Sequence, residues 1–343
     1  MTGRAAAEQG APAARAFGSL FAVAFLATLA LALASIPTGL YTAFFTTLTP
    51  GVGPASPVLF YFWLGPLPVA LPAMPTIALT LVVMTAVYVL LLVVAAARGS
   101  SPAKALREGV RGNIDGLLSS DLVIAVASVG FLVSVATAID SATQAAGGQI
   151  GGLIGSDATI FVSAATSPLV EELGFRVCIM GLVALILSLG MGWRGSVAAL
   201  WRPGSVYDTS TARSGRELVL LVALVTSSVA FGLAHVASGS GWELGKLPEA
   251  TFGGLVLGYV YMRYGLHIAI LTHWGVDYLG NVYSFFGEGA YGIPWGSDPG
   301  YVLQHWVTLD LVYGIGLLSC ILVAYLGLRR LWLPHPVGEI PSM

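Results

Sequence analysis

Residues 167–176 read SPLVEELGFR and lie within an apolar run over 158–190. A helix needs about 20 apolar residues to cross a bilayer, so this run is long enough to do so. It nevertheless contains Glu171, Glu172 and Arg176. Ionisable groups at membrane depth cost about 3 kcal/mol each on insertion scales, and proteins that keep them there mostly use them. The stretch therefore predicts a membrane-embedded helix that carries a functional site.

The composition agrees with a membrane protein. Of 343 residues, 56% are hydrophobic and 9% are charged, whereas soluble domains carry about 25% charged residues. We therefore expect an integral membrane protein with the lipid bilayer as its surroundings. No basic cluster suggests nucleic-acid binding. The two cysteines lie in apolar segments, so a disulfide framework of the secreted type is excluded.

Apolar runs long enough to span recur along the chain. They fall at about 17–36, 76–97, 121–139, 158–190, 216–237, 249–265, 266–286 and 303–328. They predict an all-α polytopic membrane protein, a bundle of about eight transmembrane helices with an intramembrane active site. The first run is expected to be retained as a span, although an Ala-Leu-Ala near its end also resembles a cleavage site.

The segment 56–75 is ambiguous because it is apolar and aromatic but rich in proline. It could be a broken span, a re-entrant segment or an interfacial segment. The orientation of the N-terminus depends on that choice, since a spanning 56–75 places the N-terminus outside.

Positive charges are distributed unequally between the loops. One set of loops holds Arg98, Lys104, Arg107, Arg111, Arg194, Arg202, Arg213, Arg216, Arg329 and Arg330. The opposite loops, 140–157, 238–248 and 287–302, hold only Lys246. The positive-inside rule then predicts a cytoplasmic C-terminus. The Ala, Gly and Val content favours a high-GC bacterial source, and hence the bacterial plasma membrane.

The chain divides into three parts by content. Residues 1–157 contribute transmembrane helices without a recognised motif, and 140–157 are expected to act as a linker. Residues 158–286 carry the polar motifs and form the expected catalytic core. Residues 287–343 supply the last transmembrane helix and a cytoplasmic tail.

His267, in a short turn between spans, is expected at the membrane interface.

The first polar cluster separates two neighbouring carboxylates. Glu172 and Arg176 are i and i+4 on a helix, so they share a face and can pair. Glu171 is rotated about 100° from Glu172 and is left to point elsewhere. One carboxylate is thus a structural ion-pair partner, and the other is an acid or base.

Two further clusters lie in later spans. Phe231 and His235 are i and i+4, so the aromatic ring can brace the imidazole. His273 and Asp277 have the same spacing and project to one side of their helix. Asn281 continues that face one turn later.

Glu171, His235, His273 and Asp277 could converge inside a bundle. Two imidazoles with carboxylates can hold Zn²⁺ with an open water position, or they can position water directly for general-base attack. Each polar cluster taken alone also fits a structural role, because a histidine in a membrane helix often forms a hydrogen bond to a neighbouring helix. Three clusters on three spans favour a functional site.

The three motifs, in order, are Glu-Glu-x-x-x-Arg, Phe-x-x-x-His and His-x-x-x-Asn/Asp. This pattern resembles the CPBP (Abi) family of intramembrane proteases, which includes the type II CAAX prenyl endopeptidases. The resemblance covers about 158–286. It implies an intramembrane endopeptidase that hydrolyses a peptide or protein substrate, either membrane-anchored or lipidated, at or in the bilayer.

The resemblance also implies roles for the motif residues. Glu171 is the base that activates water, assisted by His235. Glu172 and Arg176 hold the helix of the first motif in place, and Phe231 supports the site.

The third motif departs from the prenyl endopeptidases at one position. His273 and residue 277 are expected to bind a metal or to stabilise the oxyanion, so zinc bound by Glu171, His235, His273 and Asp277 is one form of the prediction. A metal-free glutamate mechanism is the other. The endopeptidases carry asparagine where this chain has Asp277. Asparagine donates to an oxyanion, whereas aspartate is the better zinc ligand, unless Asn281 supplies the donor.

Two other function classes fit the same buried groups. A proton- or ion-coupled transporter would use them as a relay, although the chain has no internal repeat of the kind common in transporters. A non-catalytic scaffold or immunity protein would retain the fold alone. The sequence does not name the substrate.

Overall fold

The computed structural model describes residues 11–46, 55–56, 58–64, 67–74, 76–208, 213–293 and 310–332. Three predicted features lie wholly or partly outside these ranges. They are part of the loop 287–302, the start of the last apolar run (303–309) and the cytoplasmic tail from residue 333.

The N-terminal half is helical apart from one hairpin. Its elements, in chain order, are α1 (Pro12–Phe45), β1 (Val58–Leu64), β2 (Leu67–Met74), α2 (Ile77–Ala97), α3 (Pro102–Val110), α4 (Ile114–Leu117) and α5 (Asp121–Ala145).

In the described residues of the C-terminal half, the regular elements are all helices. Helix α6 runs over 157–187 in three stretches, an α-helix (Asp157–Glu171), a π-helix (Glu172–Gly181) and a further α-helix (Leu182–Leu187). The later elements are α7 (Gly192–Trp201), α8 (Ser205–Asp208), α9 (Arg213–Ala237), α10 (Lys246–Tyr264), α11 (Leu266–Tyr291) and α12 (Asp310–Trp332).

Over the residues that the structure describes, each predicted apolar run overlaps one of the long helices. Among the described residues, α1, α2, α5 and α9 (over Gly215–Ala237) are long and apolar enough to cross a membrane. Helix α12 contains a shorter apolar stretch, Val312–Leu328. The helical membrane-protein class is therefore confirmed, while the count of eight crossings stays a prediction.

The ambiguous segment 56–75 contains an antiparallel hairpin rather than a helix. Strands β1 and β2 pair with Tyr61 opposite Ala70 and Leu64 opposite Leu67. Pro68 and Pro72 fall within β2. Proline disrupts a helix interior but is tolerated on an edge strand, which a two-stranded hairpin provides.

Helix α11 lies at the centre of the bundle. It packs against α1, α2, α5, α6 and α10. Glycines allow two of the closest helix approaches. A β-carbon on Gly275 of α11 would lie 2.5 Å from Val129 of α5, and one on Gly254 of α10 would lie 2.8 Å from the Cα of Ser228 in α9. Small residues at such crossings let membrane helices approach closely, and here they bring α11 against α5 and α10 against α9.

Candidate active site

The first motif lies where α6 changes its winding. Ser156 caps the helix, accepting a hydrogen bond from the backbone N–H of Thr159 at 3.3 Å. Pro168, which lacks an N–H, lies inside the α-helical part, and the π-helix begins at Glu172. Glu171 is thus the last residue of one winding, and Glu172 is the first of the next. π-Helical turns are rare and occur frequently at functional sites.

Glu172 and Arg176 form a buried ion pair. Nε of Arg176 lies 3.4 Å from Oε2 of Glu172, and neither side chain is exposed to solvent. The guanidinium carbon also lies 4.4 Å from the centroid of the Phe231 ring. Within the described chain, the three guanidinium nitrogens have no hydrogen-bond partner. Glu172 and the face of Phe231 are therefore the groups that stabilise this buried charge.

His273 connects the first and third motifs. Its Nδ1 is hydrogen-bonded to Oε1 of Glu172 at 2.9 Å. Its Nε2 lies 3.3 Å from Oδ2 of Asp277 and 3.7 Å from Oε2 of Glu171. Each ring nitrogen can donate or accept a hydrogen bond, depending on its protonation. His273 thus brings three carboxylates around one imidazole.

Exposure separates the three carboxylates. The side chain of Glu172 is fully buried, whereas Glu171 is 14% exposed and Asp277 is 30% exposed. Glu171 and Asp277 are therefore accessible from outside the bundle, whereas Glu172 is not. Glu171 and Asp277 lie beside Nε2 of the His273 ring, whereas the buried Glu172 contacts Nδ1 on the other side.

His235 joins this cluster through Phe231. Its Nδ1 lies 2.9 Å from the backbone oxygen of Phe231, and the two rings meet edge to face at 4.6 Å. The Phe231 ring also contacts His273, with centroids 5.8 Å apart. Since Nδ1 is occupied, Nε2 is the nitrogen of His235 that can meet a substrate or a water molecule.

Asn281 is oriented towards its own helix. Its amide nitrogen donates to the backbone oxygen of Asp277 at 2.6 Å. The alternative in which Asn281 replaces the missing asparagine donor therefore has no support from this arrangement, because the amide is used one turn away within α11.

The predicted zinc ligands do not form a metal-binding group in this arrangement. In the described residues, no three or more His, Cys, Asp or Glu side chains are grouped so that they could hold a metal ion. Nδ1 of His273 is taken by Glu172, and Nδ1 of His235 faces a backbone oxygen.

A second polar cluster was missed by sequence reasoning. His267, expected at the interface, is fully buried, and its Nε2 lies 2.9 Å from Oδ2 of Asp121. Arg98 also pairs with Asp121 at 3.5 Å, and the Trp201 ring stacks on His267. A charged residue at the start of an apolar run, Asp121, was the only sign of this cluster in the sequence. Its partner His267 is 146 residues away, so spacing could not reveal the contact. This cluster joins α5 and α11 near their ends outside the site.

Comparison with known proteins identifies the segment that carries the site. Residues 156–279 match a family described as Type II CAAX prenyl endopeptidase Rce1-like. No curated protein and no solved structure matches the chain. The matched segment begins at the cap of α6 and ends two residues after Asp277, so it contains all three motifs. The family resemblance found in the sequence is therefore confirmed.

Proposed function

We propose that this chain, whose residues 156–279 belong to the CAAX-protease-like family, is an intramembrane endopeptidase that activates water with Glu171 and His235. One observation carries the proposal. His273 of α11 lies within 3.7 Å of Glu171, Glu172 and Asp277. The first and third motifs of the family segment thus meet inside the bundle, where Glu171 and Asp277 are partly exposed.

The first step of the proposed reaction is attack by water. Glu171 removes one proton from a water molecule while the water oxygen forms a bond to the carbonyl carbon of the peptide. Nε2 of His235 orients the water or the substrate. Proton transfer by a positioned side chain typically contributes about 10²–10⁴-fold to a rate. The partial exposure of Glu171 supports its assignment, because a base must be reachable by water.

The second step is collapse of the tetrahedral intermediate. The carbonyl oxygen carries the negative charge, and a protonated Nε2 of His273 donates a hydrogen bond to it while Glu172 holds the ring through Nδ1. The C–N bond then breaks, and the proton held by Glu171 passes to the leaving amine. Asp277, beside the same nitrogen, positions the imidazole.

Zinc binding by Glu171, His235, His273 and Asp277 is a separate proposal supported by the sequence pattern alone. Metal analysis of the purified protein tests it. One zinc per chain in the wild type, lost in His273→Ala, supports the proposal, and a fully active wild type purified without zinc overturns it.

The proposal extends to the substrate and the membrane. The substrate is a peptide or protein, membrane-anchored or lipidated, and it is cut at or in the bilayer. The unequal distribution of arginine and lysine supports a bacterial plasma-membrane protein with a cytoplasmic C-terminus.

A comparison of membrane proteomes tests the function in cells. Cells with Glu171→Ala are compared with wild-type cells and with Glu217→Ala, a control that removes a carboxylate from the opposite end of the bundle, near the start of α9. At least one membrane protein should accumulate uncleaved only in Glu171→Ala. A pH-gradient-driven flux that Glu171→Ala abolishes, with no uncleaved protein, would instead favour the transporter.

A further inference from the structure

Two connections on one side of the bundle pair with each other through their backbones. The segment 149–154, before α6, runs antiparallel to 240–245, which follows α9. Four hydrogen bonds of 2.9–3.2 Å join them: Gly152 N to Gly241 O, Ile154 N to Ser240 O, Glu243 N to Ile150 O and Gly245 N to Gln149 O. The segment 140–157 is thus not a free linker over 149–154. We call the paired segments the ladder.

Glycine makes the close approach of the two segments possible. Gly151 has a φ of +72°, and a β-carbon there would lie 2.2 Å from the backbone oxygen of Gly241. Gly241 has a φ of +103°, and its β-carbon would lie 2.2 Å from the oxygen of Gly152. The ladder therefore depends on glycine at positions 151 and 241, since a side chain on Gly151 or Gly241 would push the two segments apart.

One edge of the ladder is unpaired. Successive residues of a strand direct their backbone groups to opposite sides, so Gly151 and Leu153 face away from 240–245. Among the described residues, the backbone N–H and C=O of these two make no backbone hydrogen bond. Both residues are exposed, and next to them Ile154 is 69% exposed. An exposed edge with apolar neighbours can pair with another extended chain.

The ladder is joined directly to the helix that carries His235. Ser238 Oγ donates to the backbone oxygen of His235 at 2.8 Å and contacts Ser240 Oγ at 2.6 Å. Ser240 is the first residue of the second ladder segment. The edge therefore lies on the side of the bundle where the second motif ends.

We propose that the outer edge of the ladder, at Gly151 and Leu153, binds an extended segment of the substrate as a third strand. This inference rests on the proposed function. Main-chain hydrogen bonds to a sheet edge hold a peptide extended with little demand on its sequence. In an extended peptide, an individual peptide carbonyl is accessible to the attacking water. The proposed reaction at Glu171 requires such a carbonyl. By the same distribution of charge, the substrate approaches from the non-cytoplasmic side.

The test uses purified enzyme and a pool of quenched fluorescent decapeptides of randomised sequence. Leu153→Pro removes the outward N–H, and Leu153→Ala keeps it. For the fastest-cleaved decapeptide we expect Leu153→Pro to raise KM about three- to tenfold, the value of one hydrogen bond, with kcat little changed. Leu153→Ala should raise KM less. Equal KM values for the two variants would overturn the proposal.

A second measurement does not depend on the folding of a variant. The same decapeptide is synthesised with a single N-methyl group at each position in turn. Methylation at alternate positions on one side of the cleaved bond should reduce cleavage by the wild type, because one face of the strand pairs with the ladder. Uniform effects along the peptide would argue against a third strand. Cleavage by Glu171→Ala at the wild-type rate, or none by the wild type, would contradict the proposed function itself.

Discussion

Glu171 and Glu172 are adjacent in sequence but have different surroundings. Glu172 is fully buried between Arg176 and His273, while Glu171 is partly exposed on the other side of the His273 ring. The difference follows from the helix, which turns the two side chains apart, and from α11, which brings His273 between them. The proposed structural role of Glu172 and the proposed chemical role of Glu171 are thereby assigned to neighbouring residues.

Replacing Glu172 should affect stability before it affects chemistry. Glu172→Gln leaves the Arg176 guanidinium buried without a carboxylate, and breaking a buried pair costs about 3–5 kcal/mol. We expect the free energy of unfolding in detergent to fall by about that amount. Glu171→Gln is the matched control and should lower it by less, since Glu171 is partly exposed and is not paired with the guanidinium. Equal losses would show that the two carboxylates do not differ in role.

Asp277 distinguishes the two forms of the mechanism. In the metal-free reaction, Asp277→Asn should keep activity within about threefold of wild type, because the amide oxygen still accepts from His273 and its N–H₂ can donate to the oxyanion. Asp277→Ala, which removes both groups, should be the slower of the two. Rates on the decapeptide pool measure this. An inactive Asp277→Asn protein that has also lost bound zinc would contradict the metal-free form.

At the scale of elements, glycines set the distance between the helices of the site. Gly254 of α10 faces the Cα of Ser228 in α9, and a β-carbon there would meet it at 2.8 Å. Its neighbour Gly253 has room, with the nearest atom of Leu132 at 3.9 Å. Because α9 carries Phe231 and His235, the contact with α10 fixes where the second motif lies.

This pair of glycines provides a matched test. Gly254→Ala should lower the free energy of unfolding by about 1–3 kcal/mol, the usual cost of overpacking, because the clash is with backbone. Gly253→Ala should leave it unchanged or slightly higher, since alanine favours the helix. Thermal unfolding in detergent measures both. Similar shifts in the two proteins would mean that α9 and α10 do not pack as described.

Local spacing predicted the motif helices but not how they meet. The i, i+4 rule placed Glu172 beside Arg176 and Phe231 beside His235, because those contacts are made within one helix turn. It could not show that Nδ1 of His273 bonds Glu172, since 101 residues separate them. Nor does residue spacing reveal the π-helix, which depends on how α6 packs against its neighbours.

The irregular segments were the least predictable. The prolines argued against a regular helix over 56–75 but left several alternatives. The hairpin is stabilised by hydrogen bonds between the two strands, which the composition does not predict. The glycines of 140–157 suggested a linker when read alone. Their function in the ladder depends on 240–245, a segment about 90 residues later. Pairing between distant segments is not visible in the composition of either.

At the scale of the whole molecule, the two ends of the bundle should face different compartments. Trp193, 73% exposed at the start of α7, lies near the arginine-rich loops, and Glu243 lies in the ladder. In a background without Cys178 and Cys320, an impermeant thiol reagent should label Glu243→Cys from outside intact cells and Trp193→Cys only after lysis. The reverse pattern would contradict the predicted topology and the direction of substrate entry.

The central claim is that Glu171 makes this protein a peptidase. The direct measurement is cleavage of the decapeptide pool by purified wild type, Glu171→Ala and the control Glu217→Ala, with folding checked by thermal unfolding. The account predicts cleavage by wild type and Glu217→Ala, and a rate at least about 10²-fold lower in a folded Glu171→Ala. Equal cleavage by the folded Glu171→Ala protein would contradict it.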